Sequence, residues 1–98
     1  MGKIYIQNLR LRTIIGINAW ERDHKQDIII NIEIDYDAEK SSISDDIKDT
    51  LDYKTLTKKI IYYVEQSSYF LLEKLVKQLL NIMMEHALVF MAKIKIDI

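Results

Sequence analysis

The apolar positions of this chain change their period twice. Across residues 27–37, Ile28, Ile30, Ile32, Ile34 and Tyr36 alternate with Ile29, Asn31, Glu33 and Asp35. A period of two with one polar face predicts a half-buried strand. Residues 3–17 carry the same signature, but the parity switches from Ile4 and Ile6 to Leu9, Leu11 and Ile15. A bulge or bend at Gln7-Asn8 puts all of them on one face. The stretch from Asn18 to Gln26 is polar apart from Trp20, so the two runs predict a long antiparallel pair joined by an elaborate loop. At Asp52, a natural N-cap, the period becomes helical, with Leu56, Ile60, Tyr63 and Val64 on one stripe. Ser67-Ser68 interrupts that stripe and offers a second N-cap. Leu72, Leu75, Val76, Leu79, Ile82 and Met83 then form a second stripe, and from Phe90 to Ile98 the period returns to two.

The order is therefore ββααβ in one domain spanning residues 1–98. Helices gathered on one face of an antiparallel sheet make an α+β fold. A third strand placed after two helices normally has a hairpin partner, so the pattern reads as one whose final strand is missing.

Composition narrows the class. The 98 residues are 49% hydrophobic and 30% charged, with a net charge of −1. That balance speaks against nucleic acid as a partner, since phosphate binding needs a basic excess. There is no cysteine, hence no disulfide framework and no thiolate chemistry. The start of the chain has no signal-peptide pattern and no apolar run approaches the length of a membrane span. A cytoplasmic protein without membrane contact is the expectation. A chain this short buries only about two-thirds of its unfolded surface, so self-association would help it.

Several strings resemble the dihydroneopterin aldolase family. They are Leu9-Arg10-Leu11-Arg12-Thr13-Ile14-Ile15-Gly16-Ile17, Trp20-Glu21-Arg22, Lys25-Gln26-Asp27, Ser44-Asp45-Asp46, Asp49-Thr50-Leu51-Asp52-Tyr53 and Phe70-Leu71-Leu72-Glu73-Lys74-Leu75. They fall in the family's order, from about Ile4 to Asp97. The Leu9–Arg12 string and Lys54-Thr55-Leu56-Thr57-Lys58 are also similar to a sister enzyme, dihydroneopterin triphosphate 2′-epimerase, whereas Trp20-Glu21-Arg22 is closer to the aldolase. The resemblance implies a tunnelling fold whose subunits close into four-membered rings, two of which stack into an octamer. It also implies a small-molecule pterin substrate, no cofactor or metal, and sites built from two chains.

The resemblance also assigns roles. Glu73 would accept hydrogen bonds from the 2-amino group and ring N–H of a pterin; without it, Glu73 is simply an acid in a helix's first turn, favoured by about 0.3–1 kcal/mol. Leu72 beside it would share in substrate binding. Tyr53 would lie across the subunit interface against the pterin, its hydroxyl able to pass a proton, with Leu51 offering backbone or apolar contact. Glu21 would position the substrate's side chain or a catalytic water. Trp20 reads as a loop anchor and Arg22 as a surface charge. His24 and His86 show no metal-ligand spacing. Asp45, Asp46 and Asp49 read as turn and capping residues rather than a calcium loop, and the methionines as core filler.

The implied reaction is a retro-aldol. A base takes the 2′-hydroxyl proton of 7,8-dihydroneopterin, the C1′–C2′ bond breaks, and the ring's C6=N5 imine receives the electrons. The products are 6-hydroxymethyl-7,8-dihydropterin and glycolaldehyde. Re-addition of the aldehyde to the opposite face gives epimerisation instead. The family carries a catalytic lysine where Ile98 stands, and Lys93 and Lys95 lie on the wrong strand face to replace it. The chain thus reads as a truncated form of a longer enzyme. A non-catalytic pterin-binding or self-assembling module is the remaining alternative.

Overall fold

Ile28, Ile30 and Ile34 have no exposed surface, and they belong to the middle strand of the sheet. The structure is a computed structural model describing residues 1–98. Its elements are β1 (Gly2–Thr13), α1 (Ala19–Asp23), β2 (Gln26–Tyr36), α2 (Glu39–Ser44), a 3₁₀ turn (Ile47–Asp49), α3 (Tyr53–Gln66), α4 (Leu72–Met84) and β3 (Val89–Asp97). The sheet has three strands in the order β1-β2-β3, antiparallel throughout. Both long helices lie on one face, α3 against β1 and α4 against β3. The α+β arrangement expected from the sequence is therefore present.

Register follows the parity of the isoleucines. Ile4 and Ile6 face Ile34 and Ile32, and Leu9 and Leu11 face Ile30 and Ile28, with the shift falling between Ile6 and Leu9. Asn8 takes a φ of 54° there, a left-handed conformation that asparagine tolerates. Its N–H donates to Asn31 Oδ1 at 2.9 Å. One residue of bulge thus turns two half-patterns into one continuous apolar face.

Ile60 and Val64 of α3 and Leu75, Leu79 and Met83 of α4 close the core over that face, none of them exposed. Asp52 caps α3, its Oδ1 accepting from Thr55 N–H at 3.2 Å. The opposite face of the sheet is uncovered and charged. Lys3 Nζ lies 3.3 Å from Asp35 and 3.7 Å from Glu33, which Lys93 also reaches at 3.7 Å.

Several expectations are corrected. Ser67-Ser68 does not cap the second helix: Ser67 closes α3, and α4 begins only at Leu72, after an extended Leu71. The loop after β1 and the segment after β2 fold locally into the short helices α1 and α2 and a 3₁₀ turn. Met83 is core, but Met1, Met84 and Met91 are exposed. Of the three aspartates, Asp46 caps a turn as expected, whereas Asp49 is a largely covered ion-pair partner. Asp46 accepts from Lys48 N–H at 3.0 Å, and Asp49 pairs with Lys40 at 3.2 Å.

Candidate active site

The chain leaves β1 through Gly16, whose φ of +121° is a conformation closed to most side chains. A Cβ there would stand 2.3 Å from the carboxyl carbon of Glu21, so glycine is required twice over. The loop wraps around that carboxylate. Asn18 N–H donates to Oε1 at 3.0 Å, and Gln26 Nε2 donates to Oε2 at 3.0 Å and to the Ile15 carbonyl at 2.7 Å. The Asn18 backbone amide first, and then the Gln26 side chain, hold the Glu21 carboxyl below its ordinary 4.5. A carboxylate with both oxygens engaged and a lowered pKa is a weak base. It is suited to orienting a neighbour.

The connection from α3 to α4 lies against the same loop. Thr13, fully buried at the end of β1, donates to the Ser67 carbonyl at 3.0 Å and meets Ser67 Oγ at 3.0 Å. Gly16 N–H donates to the Tyr69 carbonyl at 3.3 Å. Tyr63 and Tyr69 join hydroxyls at 2.5 Å, and that bond, with burial second, pushes the Tyr63 phenol up to about 12. Beyond Leu71, α4 begins with Leu72, half-buried against the core, and Glu73, exposed in the first turn. Glu21 and Glu73 therefore stand at the same end of the molecule. β3 runs to that end as well: Asp97 pairs with Ile29, and the exposed Ile98 follows it.

Tyr53 and Leu51 are elsewhere. Tyr53 opens α3 and Leu51 precedes its N-cap; the other end of the helix is tied to Thr13 through Ser67, so its 14 residues separate both from Glu73. At 1.5 Å per residue the offset is on the order of 20 Å. Tyr53 is half-exposed, while Leu51 is buried in the core at 2% exposure. None of the depressions on the surface is lined by Glu21, Tyr53 or Glu73.

Two sequence readings at this end are overturned. Trp20 is no buried anchor: 60% of it is exposed. Arg22 is no free surface charge. Its Nη1 donates to the carbonyls of Gly16 at 3.1 Å and Tyr69 at 3.0 Å, its Nη2 to the Ser68 carbonyl, and its guanidinium stacks 4.0 Å from the centre of the Phe70 ring.

Comparison with known proteins gives this geometry a lineage. The family model described as FolB: Dihydroneopterin aldolase matches residues 4–98. The chain belongs to the dihydroneopterin aldolase family. It is 50% identical over 94 residues to the dihydroneopterin triphosphate 2′-epimerase of Escherichia coli, covering 96% of this chain and 78% of that protein. To the dihydroneopterin aldolase of Escherichia coli it is 27% identical over 84 residues, covering 86% and 69% respectively. The crystal structure of Escherichia coli dihydroneopterin aldolase in complex with neopterin superposes with a TM-score of 0.89 at 26% identity, covering 98% of this chain and 84% of that one.

Within the dihydroneopterin aldolase family frame, this chain gathers Glu21, Leu72 and Glu73 and leaves Leu51 and Tyr53 apart. Sequence reasoning passed over Gln26 and Tyr69 and misread Arg22, and these three hold the acidic end together. Gln26 could have been suspected, because it sits five residues after an acid across a tight loop. Arg22 could not, because its partners are backbone carbonyls 46 and 47 positions away. His24 and His86 have local roles, His24 Nδ1 facing the Trp20 carbonyl at 2.9 Å and His86 Nδ1 accepting from Leu88 N–H at 3.1 Å. No helix is long and apolar enough to cross a membrane.

Proposed function

We propose that this protein binds a reduced pterin at Glu73 and epimerises 7,8-dihydroneopterin triphosphate at C2′. The observation that carries the pterin reading is the exposed Glu73 in the first turn of α4, at the end of the molecule that also carries Glu21, whose carboxyl is held below its ordinary pKa. An ionised carboxylate can accept from two ring donors at once, and the solved relative whose fold this chain shares was crystallised with neopterin. The 50% identity to the epimerase, against 27% to the aldolase, favours epimerisation. The Leu9–Arg12 string agrees.

In this reading a base takes the 2′-hydroxyl proton, the C1′–C2′ bond breaks into the ring imine, and the aldehyde re-adds to the opposite face. The Tyr53 hydroxyl is the proton-passing group, Glu21 orients the side chain, and Leu51 packs beneath the start of α3 that carries Tyr53. Tyr53 must then come from a second copy, since about 20 Å of helix separates it from Glu73 in one chain. The free edges of β1 and β3 supply a means of joining copies. A ring of four, stacked in pairs, is the assembly proposed.

Aldol cleavage to 6-hydroxymethyl-7,8-dihydropterin and glycolaldehyde is the second reading, favoured by Trp20-Glu21-Arg22. The experiment is incubation with 7,8-dihydroneopterin and its triphosphate, followed by chromatography of the oxidised pterins. Conversion of the triphosphate to its 2′-epimer is expected. Accumulation of the hydroxymethyl product with glycolaldehyde favours the second reading, and binding without either product leaves a pterin-binding module.

A further inference from the structure

We infer that Arg22 is a positioning residue for the pterin site: it sets where α4 begins and so holds Glu73 in the first turn. The inference rests on the reading of Glu73 as the pterin anchor. The geometry is specific. In a continuing α-helix the carbonyls of residues 68 and 69 would accept from the amides of Leu72 and Glu73. Here both are turned away. Arg22 takes the Ser68 carbonyl and, together with Gly16 N–H, the Tyr69 carbonyl. With those acceptors engaged, α4 cannot grow backwards, and Leu71 stays extended at φ −114°, ψ 134°.

No side-chain cap fixes that helix start. Leu71 is an N-cap without a side-chain hydrogen bond, and neither Phe70 nor Leu71 is buried. The guanidinium meets three requirements at once. Its planar fork reaches carbonyls from two segments, its face stacks on Phe70 at 4.0 Å, and its third carbonyl, Gly16, belongs to the turn packed against Glu21. One side chain thereby sets the spacing between the loop that carries Glu21 and the helix that carries Glu73. A lysine ammonium, a point charge without a planar face, cannot reproduce that arrangement.

The test compares the wild-type protein with Arg22→Ala, Arg22→Lys and Phe70→Leu. Neopterin and side-chain-free pterin serve as calorimetric probes, and amide hydrogen exchange is followed at Leu72–Leu75 and along β2. Weakening a charge-assisted hydrogen bond to the ligand costs about ten- to a hundredfold in affinity. Arg22→Ala should therefore weaken both probes by at least about tenfold, with Arg22→Lys close behind and Phe70→Leu intermediate. Exchange should slow at Leu72 and Glu73, whose amides gain the freed carbonyls of Ser68 and Tyr69, while β2 is unchanged, and the kinetic loss should fall on KM more than on kcat. Unchanged affinity and exchange in folded Arg22→Ala overturn the inference. If that variant does not fold, wild-type values in both Arg22→Lys and Phe70→Leu overturn it equally. A wild-type protein that ignores neopterin overturns the pterin reading instead, and the exchange comparison still decides whether Arg22 sets the helix start.

Discussion

Single residues at the acidic end carry conformational and electrostatic roles that can be separated. Gly16→Ala would place a methyl group into the Glu21 carboxylate and force a φ of +121° on a residue that resists it. A loss of about 1–3 kcal/mol is expected in urea denaturation, with weakened pterin binding beside it. Glu21 has a folded-state pKa below its ordinary 4.5. Its contribution to stability is therefore complete above that value and is lost as pH falls through the lower folded pKa. An acid titration of stability should show this as a steeper decline in wild type than in Glu21→Gln. Glu73→Gln should leave the fold intact and weaken neopterin binding by about ten- to a hundredfold. An unchanged dissociation constant would reduce Glu73 to an ordinary first-turn acid.

At the scale of elements, the molecule depends on how β1 hands over to the helices. Thr13 is the only polar residue among those buried, and its hydroxyl bonds to Ser67 are what tie the end of β1 to the end of α3. Thr13→Val keeps the shape but strips the Ser67 carbonyl of its donor, for an expected cost of about 1–3 kcal/mol by thermal unfolding. Leu79→Ala probes the packing of α4 directly. That side chain has no exposed surface, so a loss of about 2–5 kcal/mol is expected. The caps were unequally legible. Asp52 announces α3 because an N-cap is a local interaction, three residues long. The start of α4 is set by Arg22 from across the molecule, and the nearby serines point the sequence reader to the wrong place.

As a whole, the molecule is elongated, 53 × 19 × 18 Å with a radius of gyration of 15.0 Å, against about 13 Å for a compact chain of this length. Only 16 of its 98 residues are buried, because the helices cover one face of the sheet and leave two strand edges open. Burial of those edges by further copies is the expected outcome. Multi-angle light scattering should give a multiple of four subunits, and a stable, folded monomer at micromolar concentration would contradict the proposed assembly. The shared site gives a second check. Tyr53→Phe and Glu73→Gln, each impaired alone, should recover part of the activity when their subunits are mixed and reassembled, because some mixed sites then carry both intact residues. No recovery in verified mixed oligomers would place both residues in one chain's site.

The sequence by itself determined the strand faces, the bulge at Asn8, the cap at Asp52 and the two helical stripes. Each of these is written in neighbours a few residues apart, where side-chain period and local hydrogen bonding act directly. Its motifs also carried the family and named Glu21, Tyr53 and Glu73. Only the tertiary structure decided that Glu21 and Glu73 lie at one end while Tyr53 lies a helix length away, and that Leu51 belongs to the core. It alone showed Arg22 spending its charge on backbone carbonyls. Those facts depend on how the ends of β1 and α3 dock, and docking is fixed by contacts between residues some fifty positions apart, which leave no periodic trace along the chain.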